Sequence, residues 1–180
     1  MEIQGEQAFG VPVFRAHIGV DQNILDEIDR LTEQGGDRPP ECWVGDLKTS
    51  YGPDTRFLSD EQLAPFGEMA LHLINEAPEY GTQFDSLQIK YWYNSYEEGH
   101  FQEPHTHYPC TLSAVWFLRG DPSKLNFVPP TSFFPFTRNE QPFKFDIGDI
   151  VFFPSGLTHY VAPAKGPRTT VAFNFSVMHE

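Results

Sequence analysis

From Leu87 to Val177 the chain is a succession of short runs of β-branched and aromatic residues closed by Gly, Pro or Asp, and this punctuation limits the possible folds more than any other feature. Strands are expected at 87–96, 111–118, 124–128, 143–146, 149–153, 158–162 and 168–177. Many short strands with turns between them predict an antiparallel sandwich or barrel rather than a βαβ fold.

The first half reads differently. Val11 to Ile18 alternates as a first strand, and Asp21 caps a helix whose Ile24, Leu25, Ile28 and Leu31 recur at helical spacing until Gly35 and Gly36 stop it. Residues 37–58 are rich in Pro, Gly and Asp and read as loop, with room for a short strand near Trp43. Ser59 and Gln62 form a capping box for a second helix, with Leu63, Phe66, Ala70, Leu73 and Ile74 on one face. Pro65 falls deep in that helix, so it either kinks it or marks a later start. One domain over 1–180 is expected, with a strand and helices in 1–86 and a β core in 87–178. The Pro- and Phe-rich stretch 129–142 is the candidate lid or substrate loop.

Composition excludes several roles. With 39% hydrophobic and 15% aromatic residues, 17 of them Phe, the 180-residue chain can bury a core and is not a disordered tail. A formal net charge of -13 repels a phosphate backbone, so nucleic acid is not an expected partner. Cys42 and Cys110 stand far apart and in no metal-binding spacing, which argues against a disulfide framework and for a reducing cytoplasm; Cys110 reads as structural. The N-terminus carries glutamates rather than a signal pattern, and no run approaches the ~20 apolar residues of a membrane span.

Chemistry concentrates in the β half. In His105-Thr106-His107 two imidazoles stand at i and i+2, so on a strand both project from one face, and imidazole suits iron. A third ligand from a distant strand must complete a facial site, and His159, after the apolar run 152–157, offers one. If 163–166 form a four-residue turn, His159 pairs with Thr170, and His159, Arg168, Thr170, Ala172 and Asn174 share a face opposite Thr169, Val171, Phe173, Phe175 and Val177. A ligand cavity accounts for a cation, hydrogen-bonding groups and an alanine on one side; a plain solvent face is the bland alternative.

The ordered set Trp92-Tyr93-Asn94, Gly99, His105-Thr106-His107, 112–118, Phe153-Pro154-Ser155 with His159, and Arg168-Thr169-Thr170 with Phe173-Asn174 resembles the iron(II) and 2-oxoglutarate oxygenases, most closely the bacterial and phage branch related to prolyl hydroxylases. The resemblance implies a double-stranded β-helix, or jelly roll, with N-terminal helices packed on one sheet. It implies an enzyme using Fe(II), 2-oxoglutarate and molecular oxygen to hydroxylate a small-molecule or peptide substrate, with a prolyl residue as the leading candidate. His105 and His159 would ligate the metal, Arg168 would grip the distal carboxylate of 2-oxoglutarate through its planar fork, and Thr170, Asn94 and Asn174 would line the cosubstrate site.

One position departs from the family. The usual pattern is H-x-D or H-x-E, whereas His107 holds the carboxylate position here, giving either a three-histidine site or one that Glu103 completes, with His107 favoured. Trp92, Tyr91 or Tyr93, Trp116 and Phe153 are candidate pocket walls or ordinary core. Two rivals stay open: a cupin-type three-histidine dioxygenase that does not use 2-oxoglutarate, and a non-catalytic binding module.

Overall fold

The computed structural model of the protein describes residues 3–8, 10–34, 39–41, 43–52, 56–77, 83–128 and 144–178. The expected helix stops Gly35 and Gly36, Cys42 and the whole 129–142 loop lie outside these residues. The chain runs β1 (Ile3–Ala8), β2 (Val11–His17), α1 (Gln22–Glu33), β3 (Lys48–Thr49), α2 (Asp60–Asn75), β4 (Leu87–Tyr96) and β5 (Gln102–His105). It continues with β6 (Leu112–Arg119), β7 (Leu125–Phe127), β8 (Asp149–Pro154), β9 (His159–Val161) and β10 (Arg168–Val177).

Seven strands form a major sheet in the order β1-β2-β8-β6-β10-β4-β3, and β5-β9-β7 form a minor one. All the pairings are antiparallel. Both helices pack on the outer face of the major sheet, as expected. Ile24, Leu25 and Ile28 of α1 and Phe66, Met69, Ala70, Leu73 and Ile74 of α2 join Tyr93, Trp116, Ile150, Val171, Phe173 and Phe175 in one apolar cluster. Phe66 stacks on Phe173 with centroids 4.6 Å apart. Against the inner face a second cluster of Val13, Phe117, Leu125, Phe127, Val151 and Phe153 joins the two sheets. Because β10 is buried on both faces, its side-chain alternation decides what faces the helices and what faces the hollow between the sheets.

The caps behave as the sequence indicates. Asp21 accepts from the Asn23 backbone N–H at the start of α1. Ser59 and Gln62 exchange both capping-box bonds, which fixes the start of α2 at Asp60 and leaves Pro65 inside the helix rather than at a later start.

Several expectations need correction. β1 was not expected: Ile3–Ala8 is polar and becomes a strand only by pairing along β2. The short strand falls at Lys48–Thr49, not near Trp43, because its partner is the Asn94–Ser95 end of β4. Residues 144–146 form no strand; Phe145 is buried by stacking on Phe117, centroids 5.4 Å apart, which supplies the apolar signal. His107 lies past the end of β5, so the paired histidines do not share a strand. Finally, β9 and β10 are not a hairpin. Both edges of β10 are taken by β4 and β6, while β9 pairs with β5 and β7, so the chain from 162 to 167 crosses from one sheet to the other.

Candidate metal centre

His159 opens β9 and His105 closes β5, and the two residues are register partners, so the sheet itself brings the rings to 4.3 Å between centroids. His107 reaches the same point from the following loop, where its backbone N–H donates to the Ser155 carbonyl at 2.8 Å. Its ring centroid lies 4.9 Å from that of His105 and 5.0 Å from that of His159. The candidate ligand nitrogens all lie within 4.8 Å of one another, a spacing from which small ring rotations let one cation be gripped. They are the only such group of three among the described residues.

Local hydrogen bonds prepare two of the rings. Nδ1 of His105 stands 2.7 Å from the Glu103 carbonyl, and Nδ1 of His159 stands 3.0 Å from the Leu157 carbonyl. A carbonyl only accepts, so Nδ1 carries the proton and Nε2 keeps its lone pair for a metal. Burial holds the imidazoles neutral. It pushes His107 down to about 3, helped by the neighbouring His105, and holds His105 and His159 below their ordinary range as well. Neutral nitrogens are what a divalent cation requires.

Beside the histidines lies an unusual cation. Arg168 is only 2% exposed, and none of its three guanidinium nitrogens has a hydrogen-bond partner. Its carbon sits 4.8 Å over the Tyr96 ring and 5.7 Å from the Phe117 ring. Burial lowers its proton affinity, an effect that Tyr96 opposes, yet a guanidinium stays charged under any such shift. Along β10 and β4 the residues facing the hollow come in register as Arg168 with Tyr96, Thr170 with Asn94, and Ala172 with Trp92. The same hollow is lined by His105, His107 and His159.

Of the residues expected here, His105, His107, His159, Arg168, Thr170 and Asn94 come together. Asn94 is partly engaged, accepting from the Thr49 hydroxyl at 2.8 Å. Asn174 does not line the hollow. It accepts from the Ser113 hydroxyl, which also bonds Ser155, and Ser155 is the residue whose carbonyl holds His107, so Asn174 braces the loop instead. Glu103 does not reach the cluster because its carboxylate accepts from the Val44 and Gly45 N–H groups. Among the wall candidates Trp92 lines the hollow, and Phe153 meets the His159 ring edge-on at 4.7 Å. Tyr91, Tyr93 and Trp116 face the helices. Sequence reasoning missed Tyr96 and Gln102, whose side chains bond each other at 3.2 Å. Continuing the alternation of Trp92 and Asn94 along β4 would have found Tyr96.

The hollow is narrow, about 20 Å³, room for roughly one water, so side chains must part to admit a diacid. A cleft of about 1170 Å³ between β2, α1 and α2 and a groove of about 600 Å³ beside β1 are far larger, but neither gathers a metal-ligand set. Chemistry, not volume, selects the site. The donor set and the unpaired cation fit a divalent metal with a carboxylate ligand beside it.

Residues 90–174 match the family described as "Putative 2OG-Fe(II) oxygenase". No curated protein matches the chain in sequence. Among solved structures the chain is similar to a prolyl-4-hydroxylase of Pseudomonas putida, at 18% identity over 92% of each chain and a TM-score of 0.62. It is also similar to a Trichoplax adhaerens prolyl hydroxylase in complex with a hypoxia inducible factor oxygen degradation domain peptide fragment, at 13% identity over 92% of this chain and 83% of that one, TM-score 0.65. A viral collagen prolyl hydroxylase of Paramecium bursaria Chlorella virus-1 in complex with 2OG aligns at 11% identity over 92% and 96%, TM-score 0.57. At these identities the structural likeness shows a shared fold, the double-stranded β-helix. Within that fold the matched segment, which holds the three histidines and Arg168 together, is what makes this chain similar to the iron(II) and 2-oxoglutarate-dependent oxygenases.

Proposed function

We propose that the protein hydroxylates a C–H bond of a peptidyl or free amino acid, with a prolyl residue as the leading substrate, at iron held by His105, His107 and His159. The observation that carries this reading is Arg168, a buried guanidinium without a hydrogen-bond partner in the hollow that the three imidazoles share. A cation so desolvated calls for an anion, and its planar fork matches a carboxylate. Iron(II) with 2-oxoglutarate supplies oxidative decarboxylation to succinate and carbon dioxide coupled to hydroxylation by molecular oxygen.

The chain's own share is binding and orientation. Nε2 of His105 and of His159 are the ready donors, and His107 stands where a carboxylate is usual, so the protein adds no negative charge and the cosubstrate's carboxylates supply the neutralisation. Arg168 takes the distal carboxylate, and Thr170 and Asn94 flank the molecule between that anchor and the metal. Tyr96, Leu125 and Val161 line the hollow and Phe117 packs against the Arg168 guanidinium, a low-dielectric surround that strengthens each of these electrostatic contacts. A cytoplasmic setting, reducing enough to keep iron ferrous, suits this chemistry. No helix among the described residues is long and apolar enough to cross a membrane.

The test is anaerobic titration with Fe(II) and then 2-oxoglutarate, followed by oxygen with prolyl peptides and amino acids and measurement of succinate. The expected outcome is a keto-acid charge-transfer absorption that His159→Ala abolishes, and succinate release above the substrate-free background with one substrate. Metal binding without that absorption would favour the three-histidine dioxygenase that dispenses with 2-oxoglutarate, which His107 in the carboxylate position also permits. No metal binding would leave a binding module.

A further inference from the structure

Trp92, one of the residues that line the hollow, carries a buried indole N–H without a hydrogen-bond partner, as Arg168 does with its guanidinium nitrogens. The side chain is 2% exposed and cannot swing toward solvent, because its ring is wedged edge-on between Tyr51, 5.0 Å away, and His107, 5.5 Å away. Tyr51 is braced in turn by Trp43 at 5.1 Å and by the Lys90 ammonium 4.5 Å from its ring centre. Three aromatic rings therefore run from the half-buried Trp43 to the metal ligand His107. The contrast within the molecule is Trp116, whose N–H donates to the Gly19 carbonyl at 2.9 Å.

Position separates Trp92 from the cosubstrate anchor. Along the paired strands β4 and β10, Arg168 and Tyr96 form the first level of the hollow, Thr170 and Asn94 the second, and Ala172 and Trp92 the third. A diacid anchored at Arg168 and reaching the metal occupies the first two levels. The third lies beyond it, beside His107, where the molecule to be oxidised must sit. An indole donates only, so its partner must present an acceptor. The anionic end is already matched by Arg168, and a neutral N–H suits a neutral carbonyl. The adjoining aromatic faces suit an apolar ring, as in the docking of prolyl segments on aromatic-lined grooves.

Resting on the reading above, we propose that the Trp92 indole N–H is a specificity-determining donor to a backbone carbonyl of a peptide substrate, with Tyr51 and Trp43 as the wall along which the substrate lies. The chain has three tryptophans, so a nitrogen-labelled, zinc-loaded sample gives three indole N–H signals, assigned by single Trp→Phe variants. Saturating 2-oxoglutarate is added first, then an acetylated and amidated tripeptide with a central prolyl residue. The peptide is expected to move the Trp92 signal and leave that of Trp116 in place. Trp92→Phe should keep zinc and 2-oxoglutarate affinity, lose about fivefold to tenfold in peptide affinity for one neutral hydrogen bond, and show the loss in KM rather than kcat. A Trp92 signal moved by 2-oxoglutarate alone and indifferent to peptide would assign the donor to the cosubstrate and overturn the proposal. Equal peptide binding by Trp92→Phe, or no peptide response at all, would also overturn it while leaving the metal and cosubstrate reading intact. Failure of the native protein to bind 2-oxoglutarate would remove that reading as well.

Discussion

Replacing Arg168 by methionine keeps a long apolar stem and removes the charge, and the structure predicts opposite signs for this change without and with ligands. Without ligands the guanidinium is a buried charged donor with no acceptor, a state that costs more than the ~1–3 kcal/mol of an unsatisfied neutral group. The Tyr96 ring at 4.8 Å and the Phe117 ring at 5.7 Å return about 1–2 kcal/mol of that. The net, on the order of 1–2 kcal/mol, should appear as added stability in the variant, raising Tm by about 2–8 °C for a chain of this size. With zinc and 2-oxoglutarate at a hundred times its Kd, the native protein gains about 2.7 kcal/mol, or roughly 5–11 °C, and the variant, left with only the contacts at the metal, gains a small fraction of that. Thermal melts followed by circular dichroism, with and without both ligands, should therefore cross over. A variant that melts lower in the absence of ligands would mean the guanidinium is satisfied in the native state. A variant that keeps its 2-oxoglutarate shift would mean that Arg168 is not the anchor. Either result refutes the reasoning from a buried, unpaired cation.

Acid should destabilise the metal-free protein through its three clustered histidines. Burial, aided by His105, pushes His107 down to about 3, whereas an unfolded imidazole takes its proton near pH 6.5, so stability is full above about 6.5 and is lost as pH falls from there toward 3. At pH 5 the loss from His107 is at most about 2 kcal/mol, and His105 and His159 shift the same way. Urea melts of chelator-treated protein at pH 7.5 and pH 5 check this, and equal midpoints would contradict it. Gly120→Ala acts from behind on Arg168, the proposed anchor. Gly120 has φ +87°, and an added Cβ would stand 2.5 Å from the Pro167 carbonyl oxygen and 2.7 Å from the Arg168 Cα, so strain of about 1–3 kcal/mol must push the start of β10 aside. Calorimetric titration should show weaker 2-oxoglutarate binding with zinc affinity unchanged; undiminished 2-oxoglutarate binding would refute the link.

How much of this was legible in the sequence depends on the range of the interaction. Period-2 alternation is local, so it sorts Arg168, Thr170 and Ala172 from Val171, Phe173 and Phe175 whichever strands lie beside β10, although β9 and β10 form no hairpin. The caps at Asp21 and Ser59 are equally local and legible from the sequence. Strand pairing is not local. No residue in β9 announces that its partners are β5 and β7, and the polar β1 becomes a strand only because β2 offers it a free edge.

The candidate site divides along the same line. The sequence alone supplied the chemical types, three imidazoles and a guanidinium, and the order in which they occur. Only the tertiary structure decided that His105 and His159 stand opposite each other in one sheet, that Asn174 accepts from Ser113 outside the hollow, and that Trp92 and Arg168 keep unpaired donors. The physical reason is that whether a polar atom finds a partner depends on every element packed around it, and that is settled only when the two sheets close on each other.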